Sequence, residues 1–157
     1  MKANAVMFDI DGTLADTRRR AHLLPYECSL AWQDWKHELW TKYNDDCIND
    51  PVIESNVELL RLFAANEFFI FISTNRPINV HAQTISWLNR NNIPVNGIQM
   101  RMCSSSPAVL KMGHARWLME RFKVSFAFDD DIAVVKAWRA LNIAAFLVME
   151  ANSPLVI

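Results

Sequence analysis

The sequence predicts an α/β fold built on one parallel sheet of about five strands, and two observations support this. Short apolar runs, typical of strands buried on both faces, alternate with longer segments whose apolar residues recur at helical spacing. Polar residues, several of them acidic, directly follow the apolar runs. Because the chain has 157 residues, we expect one domain over residues 1–157.

The first predicted strand covers residues 4–9 and ends in Asp9, and the turn-forming pair Asp11 and Gly12 follows it. Residues 15–49 interrupt the alternation, and we expect a small cap-like helical insertion there. Its arginines, Arg18 to Arg20, can form either a solvated surface or a phosphate-binding group. It also carries a stripe at helical spacing, which can be a packed helix face or a surface that stacks on a base: Trp32, Trp35, Leu39 and Tyr43.

The rest of the chain alternates between helix and strand. The cap-like pair Asp50 and Pro51 precedes the first predicted helix, and Ser106 with Pro107 precedes the third. The predicted helices cover residues 52–65, 79–91, 108–122 and 132–141. The predicted strands cover residues 68–73, 97–100, 124–128 and 144–149, and the pattern is weakest at 97–100. This order predicts a Rossmann-like sheet with helices on both faces.

Parallel sheets of this kind bind ligands in the crevice beyond the carboxyl ends of their strands. The polar residues that follow the predicted strands are therefore expected to meet at one edge of the sheet, although they are far apart in sequence. These residues are Asp9, Asp11, Thr74, Arg76, Asp129 and Asp130.

Composition excludes several classes of protein. The 16 basic and 17 acidic residues give a net charge of -1, which excludes binding of duplex DNA through overall charge. With three glycines at positions 12, 97 and 113, the chain cannot contain a P-loop or a GxGxxG dinucleotide motif. No apolar run reaches the length of about 18 residues that marks a membrane helix. The chain begins without a signal-peptide pattern, so a cytoplasmic location is expected.

The acidic residues at the strand ends predict a metal site. Asp9 and Asp11 are two positions apart, so both side chains can point to the same side of an extended segment. Together with Asp129 and Asp130 they would concentrate negative charge that needs a hard divalent cation, for which Mg²⁺ is suited. Such a metal commonly assists phosphoryl transfer, in which the hydroxyl of Thr74 and the ammonium of Lys111 could bind phosphoryl oxygens.

These residues also resemble a known family. The segment FDIDGTL at residues 8–14 resembles motif I of the haloacid dehalogenase superfamily of phosphotransferases. Thr74, Lys111 and the pair Asp129 and Asp130 resemble its motifs II, III and IV, in the family's order.

A narrower resemblance is to the 3′-phosphatase domain of phage polynucleotide kinase and its stand-alone phage relatives. It rests on TNR at 74–76, TISWL at 84–88, MR at 100–101 and FDD at 128–130, followed by Val134, Val135, Trp138 and Arg139. Asn75 replaces the usual glycine, and residues 103–106 depart from the family's loop. A phage origin would imply the host cytoplasm as the location.

The resemblance implies a two-step, Mg²⁺-dependent hydrolysis of a phosphomonoester. Asp9 would attack phosphorus to form an aspartyl-phosphate, and Asp11 would act as general acid and then as general base. Asp9, Asp129 and Asp11, the last through its backbone carbonyl, would hold the metal, with Asp130 as ligand or support. Thr74 and Lys111 would bind the phosphoryl group. The candidate substrate-binding residues are Thr13, Asn75, Arg76 and Arg101. A basic rim around the acidic pocket is expected from Lys111, Arg76, Arg101 and the insertion's arginines.

The leading hypothesis is removal of phosphate from nucleic-acid 3′ ends. A 5′-nucleotidase or a small-molecule phosphatase is the enzymatic alternative. A phosphoacceptor domain, a metal-binding regulatory module without activity, and a glycosyltransferase with a DxD motif are alternatives from other classes. The expected partner is a phosphorylated nucleic-acid end or a nucleotide.

Overall fold

A computed structural model describes residues 2–25 and 38–148, which form a five-stranded sheet in the order β3-β2-β1-β4-β5. Every neighbouring pair of strands is parallel. The α/β class and the parallel sheet predicted from the sequence are confirmed. The strands are β1 (Asn4–Phe8), β2 (Phe69–Pro77), β3 (Gly97–Arg101), β4 (Lys123–Asp129) and β5 (Ala144–Leu147).

Helices cover both faces of this sheet, as expected. The α-helices in the described ranges are α1 (Thr41–Asp45), α2 (Glu54–Ala65), α3 (His81–Arg90), α4 (Pro107–Met119) and α5 (Ile132–Arg139). None of the helices in those ranges has the length and apolar character needed to cross a membrane.

Strand β1 lies at the centre of the sheet and is buried on both faces, because its successive side chains point to opposite sides. Val6 and Phe8 pack in a cluster that includes Leu60 of α2 and Trp87 of α3. On the other face, Ala5 and Met7 share a cluster with residues of α4 and α5, including Leu118 and Trp138. This double burial explains why β1 is an uninterrupted apolar run.

The register between β1 and β4 positions the ends of both strands. Phe8 is paired with Phe128, and their rings stack with centroids 4.7 Å apart. The backbone N–H of Asp9 then donates to the carbonyl of Phe128 across 3.0 Å. Asp9 and Asp129 therefore leave the sheet side by side.

Helix boundaries follow the predictions with one informative exception. Ser106 caps α4, where its hydroxyl accepts the N–H of Val109, and Pro107 occupies the first turn, as predicted. Helix α2, however, begins at Glu54 with Ile53 as its N-cap. Asp50, interpreted from the sequence as part of a cap, instead has a buried carboxylate paired with arginines.

The described parts of the insertion, residues 15–25 and 38–49, consist of short helical turns around α1. They include 3₁₀ turns at Thr17–Leu23, Glu38–Trp40 and Asp46–Asn49. Trp32 and Trp35 of the predicted stripe lie outside the described residues, as does the side chain of Leu39. The ring of Tyr43 lies under the guanidinium of Arg20, which is 4.0 Å from its centroid.

The consecutive arginines of the insertion have different environments. Arg18 pairs with Asp16, and Arg19 pairs with Asp46, at partly exposed positions. The side chain of Arg20 is only 1% exposed. Neither of the roles considered from the sequence, a solvated surface or an open phosphate-binding group, describes Arg20.

Candidate active site

Three carboxylates meet beyond the ends of β1 and β4. Asp9, Asp129 and Asp130 each place one carboxylate oxygen within 4.8 Å of the others. Asp9 and Asp129 are buried, whereas Asp130 lies at the exposed side of the group. The parallel register of β1 and β4 brings these residues together from sequence positions far apart, as the strand-end argument predicted.

Lys111 of α4 partly compensates this cluster. Its Nζ lies 2.8 Å from Asp9 Oδ1 and 2.8 Å from Asp129 Oδ2, and its side chain is 1% exposed. Burial alone would lower the pKa of Lys111, but the charges of Asp9 and Asp129 outweigh that effect and raise it above its usual value. Lys111 is therefore a fixed cation between the two acids.

One lysine does not balance three carboxylates. Burial, opposed by Lys111 and reinforced by Asp129 and Asp130, raises the pKa of Asp9 well above its ordinary value. Burial and the charge of Asp129 raise the pKa of Asp130 to about 6. Burial is the largest cause of both shifts, and the neighbouring carboxylates add to it. Oxygen donors at this spacing fit a hard divalent cation such as Mg²⁺.

Gly12 allows Asp130 to approach the loop after β1. Its φ of 80° is in the left-handed region, and a Cβ there would lie 2.1 Å from Asp130 Oδ2. Glycine is therefore favoured at position 12 for two reasons: its backbone can adopt this φ, and it has no Cβ to collide with Asp130. The neighbouring Thr13 is buried, and its hydroxyl has no hydrogen-bond partner within the described ranges.

The carboxylate of Asp11 turns away from the acidic cluster and towards two arginines. Asp11 Oδ1 lies 2.6 Å from Arg20 Nη2 and 2.8 Å from Arg76 Nη2, and Arg76 Nε lies 3.2 Å from Asp11 Oδ2. Burial would raise the pKa of Asp11, but Arg76 and then Arg20 overcome this and lower it. Asp11 is therefore held as a carboxylate, and its side chain stands outside the group that fits a metal.

A second buried carboxylate, Asp50, joins the same arginines. Asp50 Oδ2 is 2.8 Å from Arg20 Nε and 3.3 Å from Arg76 Nη2. The indole N–H of Trp87 donates to the backbone carbonyl of Asp50 across 2.7 Å, which anchors this residue to α3. Asp11, Asp50, Arg20 and Arg76 form a network of two negative and two positive groups, which we call the Asp11 network.

Sequence reasoning missed two members of the Asp11 network. Asp50 precedes a proline and a helical pattern, so it was assigned to a cap, and Arg20 has the same sequence context as Arg18 and Arg19. Only burial distinguishes these residues from their neighbours. The spacing of the arginines offered no signal, because a short 3₁₀ turn rather than a regular helix orients them.

The other predicted site residues lie at the carboxyl ends of β2 and β3. Thr74 is buried, and its Oγ1 accepts the backbone N–H of Arg76 across 3.1 Å. Arg101 is also buried and donates to the carbonyls of Cys103 and Ser105, at 2.8 and 2.6 Å, and to Asn75 Oδ1 at 3.0 Å. Arg101 thereby supports the loop after β3.

The expected basic rim is not what the described residues form. Arg20, Arg76, Arg101 and Lys111 are all buried, and each has polar partners inside the protein. In the described part of the chain, one nitrogen of this group, Arg76 Nη1, is buried without a hydrogen-bond partner. The positive charge of the site thus serves mainly to hold carboxylates.

Comparison with known proteins places this site in a family. Residues 3–152 match the family model described as the polynucleotide kinase PNKP phosphatase domain. The search of curated proteins finds no match.

Solved structures share the fold. The structure of a Pnkp1/Rnl/Hen1 complex matches with a TM-score of 0.73 and 20% identity, over 97% of this chain and 48% of that one. A class C acid phosphatase from Bacillus anthracis has a TM-score of 0.71 and 14% identity, over 97% of this chain and 68% of that one. A haloacid dehalogenase-like hydrolase from Streptococcus pneumoniae has a TM-score of 0.64 and 14% identity, over 92% and 84% of the two chains. The chain spans about half the length of the first of these relatives.

The fold is the haloacid dehalogenase-like one, and the family model that matches describes a phosphatase domain. Within that class, the chain belongs to the polynucleotide kinase PNKP phosphatase domain family. The family resemblance inferred from the motifs is confirmed.

Proposed function

We propose that this protein is a Mg²⁺-dependent phosphomonoesterase that removes phosphate from nucleic-acid 3′ ends through an aspartyl-phosphate. The observation that carries the proposal is the cluster of Asp9, Asp129 and Asp130 around Lys111 in a chain of this family. Support for a nucleic-acid substrate comes from the family, whose name refers to a polynucleotide kinase.

Asp9 is the proposed nucleophile. It lies at the end of the central strand, where the backbone is fixed by the sheet, and Lys111 contacts its Oδ1 at 2.8 Å. A carboxylate oxygen of Asp9 would form a bond to phosphorus while the bond from phosphorus to the leaving oxygen breaks. Lys111 favours the ionised form of Asp9 and would attract the phosphoryl oxygens.

Asp11 is the proposed general acid and base. In the second step it would take a proton from the water that hydrolyses the aspartyl-phosphate, and its lowered pKa supports this role because it is ionised at rest. In the first step it would donate a proton to the leaving oxygen, which requires Asp11 to have taken up a proton from solvent beforehand. Any displacement of Arg20 or Arg76 from Asp11 on substrate binding would raise its pKa and favour that donation.

Mg²⁺ would be held by the side chains of Asp9 and Asp129, with Asp130 as ligand or support and the backbone carbonyl of Asp11 as a further donor. When bound, it would neutralise negative charge on the transferring phosphoryl group. Thr74 is the proposed hydroxyl donor to that group. The buried and unpartnered Thr13 Oγ1 and Arg76 Nη1 are polar atoms that substrate could satisfy.

The test is a panel of phosphomonoesters assayed with Mg²⁺. It compares a 3′-phosphoryl oligonucleotide, the same oligonucleotide with a 5′-phosphate, and 3′- and 5′-mononucleotides. We expect the highest kcat/KM for the 3′-phosphoryl oligonucleotide. A higher value for the 5′-mononucleotide would replace this proposal with a 5′-nucleotidase, and activity confined to small phosphoesters would indicate a small-molecule phosphatase.

A further inference from the structure

His114 lies beneath the phosphoryl-binding side of the site and belongs to none of the motifs. It is on α4, one helical turn after Lys111, and is half-buried. Its Nδ1 lies 2.9 Å from the hydroxyl of Ser73, a fully buried residue of β2. The backbone of Met100 in β3 also acts on the imidazole, since it raises the pKa of His114 against the larger opposing effects of burial and nearby cations.

Each contact of His114 adjoins a residue of the site. Ser73 directly precedes Thr74, and Met100 directly precedes Arg101. His114 itself follows Lys111 by three positions, so both side chains lie on one face of α4. One imidazole therefore connects the three elements that supply Thr74, Arg101 and Lys111.

Lys111 needs such support because its ammonium must lie between two acids. The indole N–H of Trp138 donates to the carbonyl of Lys111 across 3.0 Å, which fixes this turn of α4 from the side of α5. The bond between His114 and Ser73 fixes the same region from the side of β2. The turn of α4 that carries Lys111 is thus fixed by one contact to α5 and one contact to β2.

The charges around His114 favour a neutral ring. Burial, followed by the positive charges of Lys111 and Arg101, lowers the pKa of His114 to about 4. A neutral imidazole can donate from one nitrogen and accept at the other, so it can satisfy a hydroxyl and a carbonyl together. A charged ring at this position would repel Lys111 and Arg101.

We propose that His114, through Ser73 and Met100, is a positioning residue that sets Lys111 and Thr74 at the spacing required by the transferring phosphoryl group. It touches neither substrate nor metal in this role, which rests on the proposed function. Displacement of a catalytic group by about 1 Å can cost about a hundredfold in rate. Loss of the contacts of His114 therefore lowers turnover more than it weakens substrate binding.

The experiment compares His114→Leu, His114→Asn and Ser73→Ala with the wild-type protein, together with the double variant His114→Leu/Ser73→Ala. Asparagine can place an amide near the position of Nδ1, whereas leucine fills similar space without a hydrogen bond. We expect His114→Leu and Ser73→Ala each to lower kcat by about tenfold or more with little change in KM. His114→Asn restores most of kcat, and the double variant is no slower than the slower single variant.

Thermal unfolding of the same variants separates positioning from a merely structural role. A His114→Leu protein that keeps the wild-type kcat while its Tm falls would overturn the proposal, as would fully additive losses in the double variant.

A second measurement does not depend on turnover. Inorganic phosphate lacks the rest of the substrate that contributes to KM, so its affinity depends on the spacing of the phosphoryl-binding groups alone. Titrated by calorimetry in the presence of Mg²⁺, it is predicted to bind most tightly to the wild type, then to His114→Asn, then to His114→Leu. If the wild type hydrolyses no phosphomonoester, the proposed function fails, but this order still supports the role of His114. Equal affinities, or no phosphate binding by any of the proteins, would overturn it.

Discussion

Asp50 shows how one buried side chain can control the charge of another, Asp11, to which we assign proton transfer. It shares Arg20 and Arg76 with Asp11, and its carboxylate is fully buried. Removing its charge leaves two arginines facing Asp11 alone. Their combined field on Asp11 then increases, because Asp50 no longer neutralises part of it.

We therefore expect Asp50→Asn to lower the pKa of Asp11 further and to move the acidic limb of the pH profile of kcat to lower pH. Because a buried charge network is broken, the free energy of unfolding should also fall by about 3 kcal/mol or more. Asp46→Asn is the matched control, since Asp46 pairs with Arg19 at a partly exposed position in the same insertion. An unchanged pH profile in Asp50→Asn, with the loss of stability alone, would show that Asp50 does not act on Asp11.

The residues of the site differ in how far the sequence predicted them. Asp9, Asp129 and Asp130 could be predicted to meet, since strand ends of a parallel sheet share one edge. The partners of Asp11 could not, because nothing in three consecutive arginines tells which one the fold buries. The same holds for Arg101, whose partners are mostly backbone carbonyls.

At the scale of elements, the loop after β1 and the helix α4 meet the cluster from two sides. Each contains a glycine, and the two glycines differ in whether a Cβ atom could be accommodated. A Cβ at Gly12 would collide with Asp130 and require a left-handed backbone, whereas a Cβ at Gly113 has no atom within 4 Å. This pair allows a matched test of the loop.

Gly12→Ala should displace Asp130 or the loop, and so weaken Mg²⁺ binding and lower kcat by at least about tenfold. Gly113→Ala should keep wild-type activity and stabilise the protein by about 0.5–1 kcal/mol, because alanine is the better helix former. Isothermal titration with Mg²⁺ and steady-state kinetics give both readouts. Wild-type Mg²⁺ affinity in Gly12→Ala would contradict the close approach of Asp130.

Some helix and strand boundaries can be predicted from the neighbouring residues alone, and others cannot. Ser106 and Pro107 start α4 as predicted, because capping depends on a few neighbouring residues. Strand β2 continues to Pro77, beyond the predicted end at Ser73, because Pro77 pairs with Arg101 of β3 after an irregularity in register. Pairing of that kind is set by the neighbouring strand β3 rather than by the sequence of β2.

For the whole molecule, the fold could be predicted because alternation and double burial are properties of the entire chain. The balance of 17 acidic and 16 basic residues gave no sign of the site's electrostatics. The structure divides the local charge into an acidic cluster with one lysine and a nearly neutral Asp11 network. The small net charge of the chain therefore conceals groups of opposite charge that are paired inside the protein.

The buried ionisable groups make the free energy of unfolding depend on pH. Variants can separate the contribution of one such group from the others. Burial lowers the pKa of His114 from 6.5 to about 4, so between those values the unfolded chain binds a proton that the folded chain does not. His114 therefore destabilises the fold as the pH falls from 6.5 towards 4. The raised pKa of Asp130 acts in the opposite direction between 6 and 3.8, so only a comparison with a variant separates the two.

We expect the wild type to lose stability over that range more steeply than His114→Asn, by up to about 1.4 kcal/mol per pH unit. Denaturant unfolding of both proteins at a series of pH values measures the difference. Parallel curves would mean that the environment of His114 does not disfavour its charged form.

The proposed metal-dependent mechanism is tested by phosphate release from a 3′-phosphoryl oligonucleotide by metal-depleted protein, before and after Mg²⁺ is restored. Asp9→Asn and the partly exposed control Asp16→Asn are measured beside the wild type. For this mechanism we expect negligible release without metal, recovery with Mg²⁺ for the wild type and Asp16→Asn, and a loss of about a thousandfold or more in Asp9→Asn. Undiminished release without metal, or by Asp9→Asn, would contradict it.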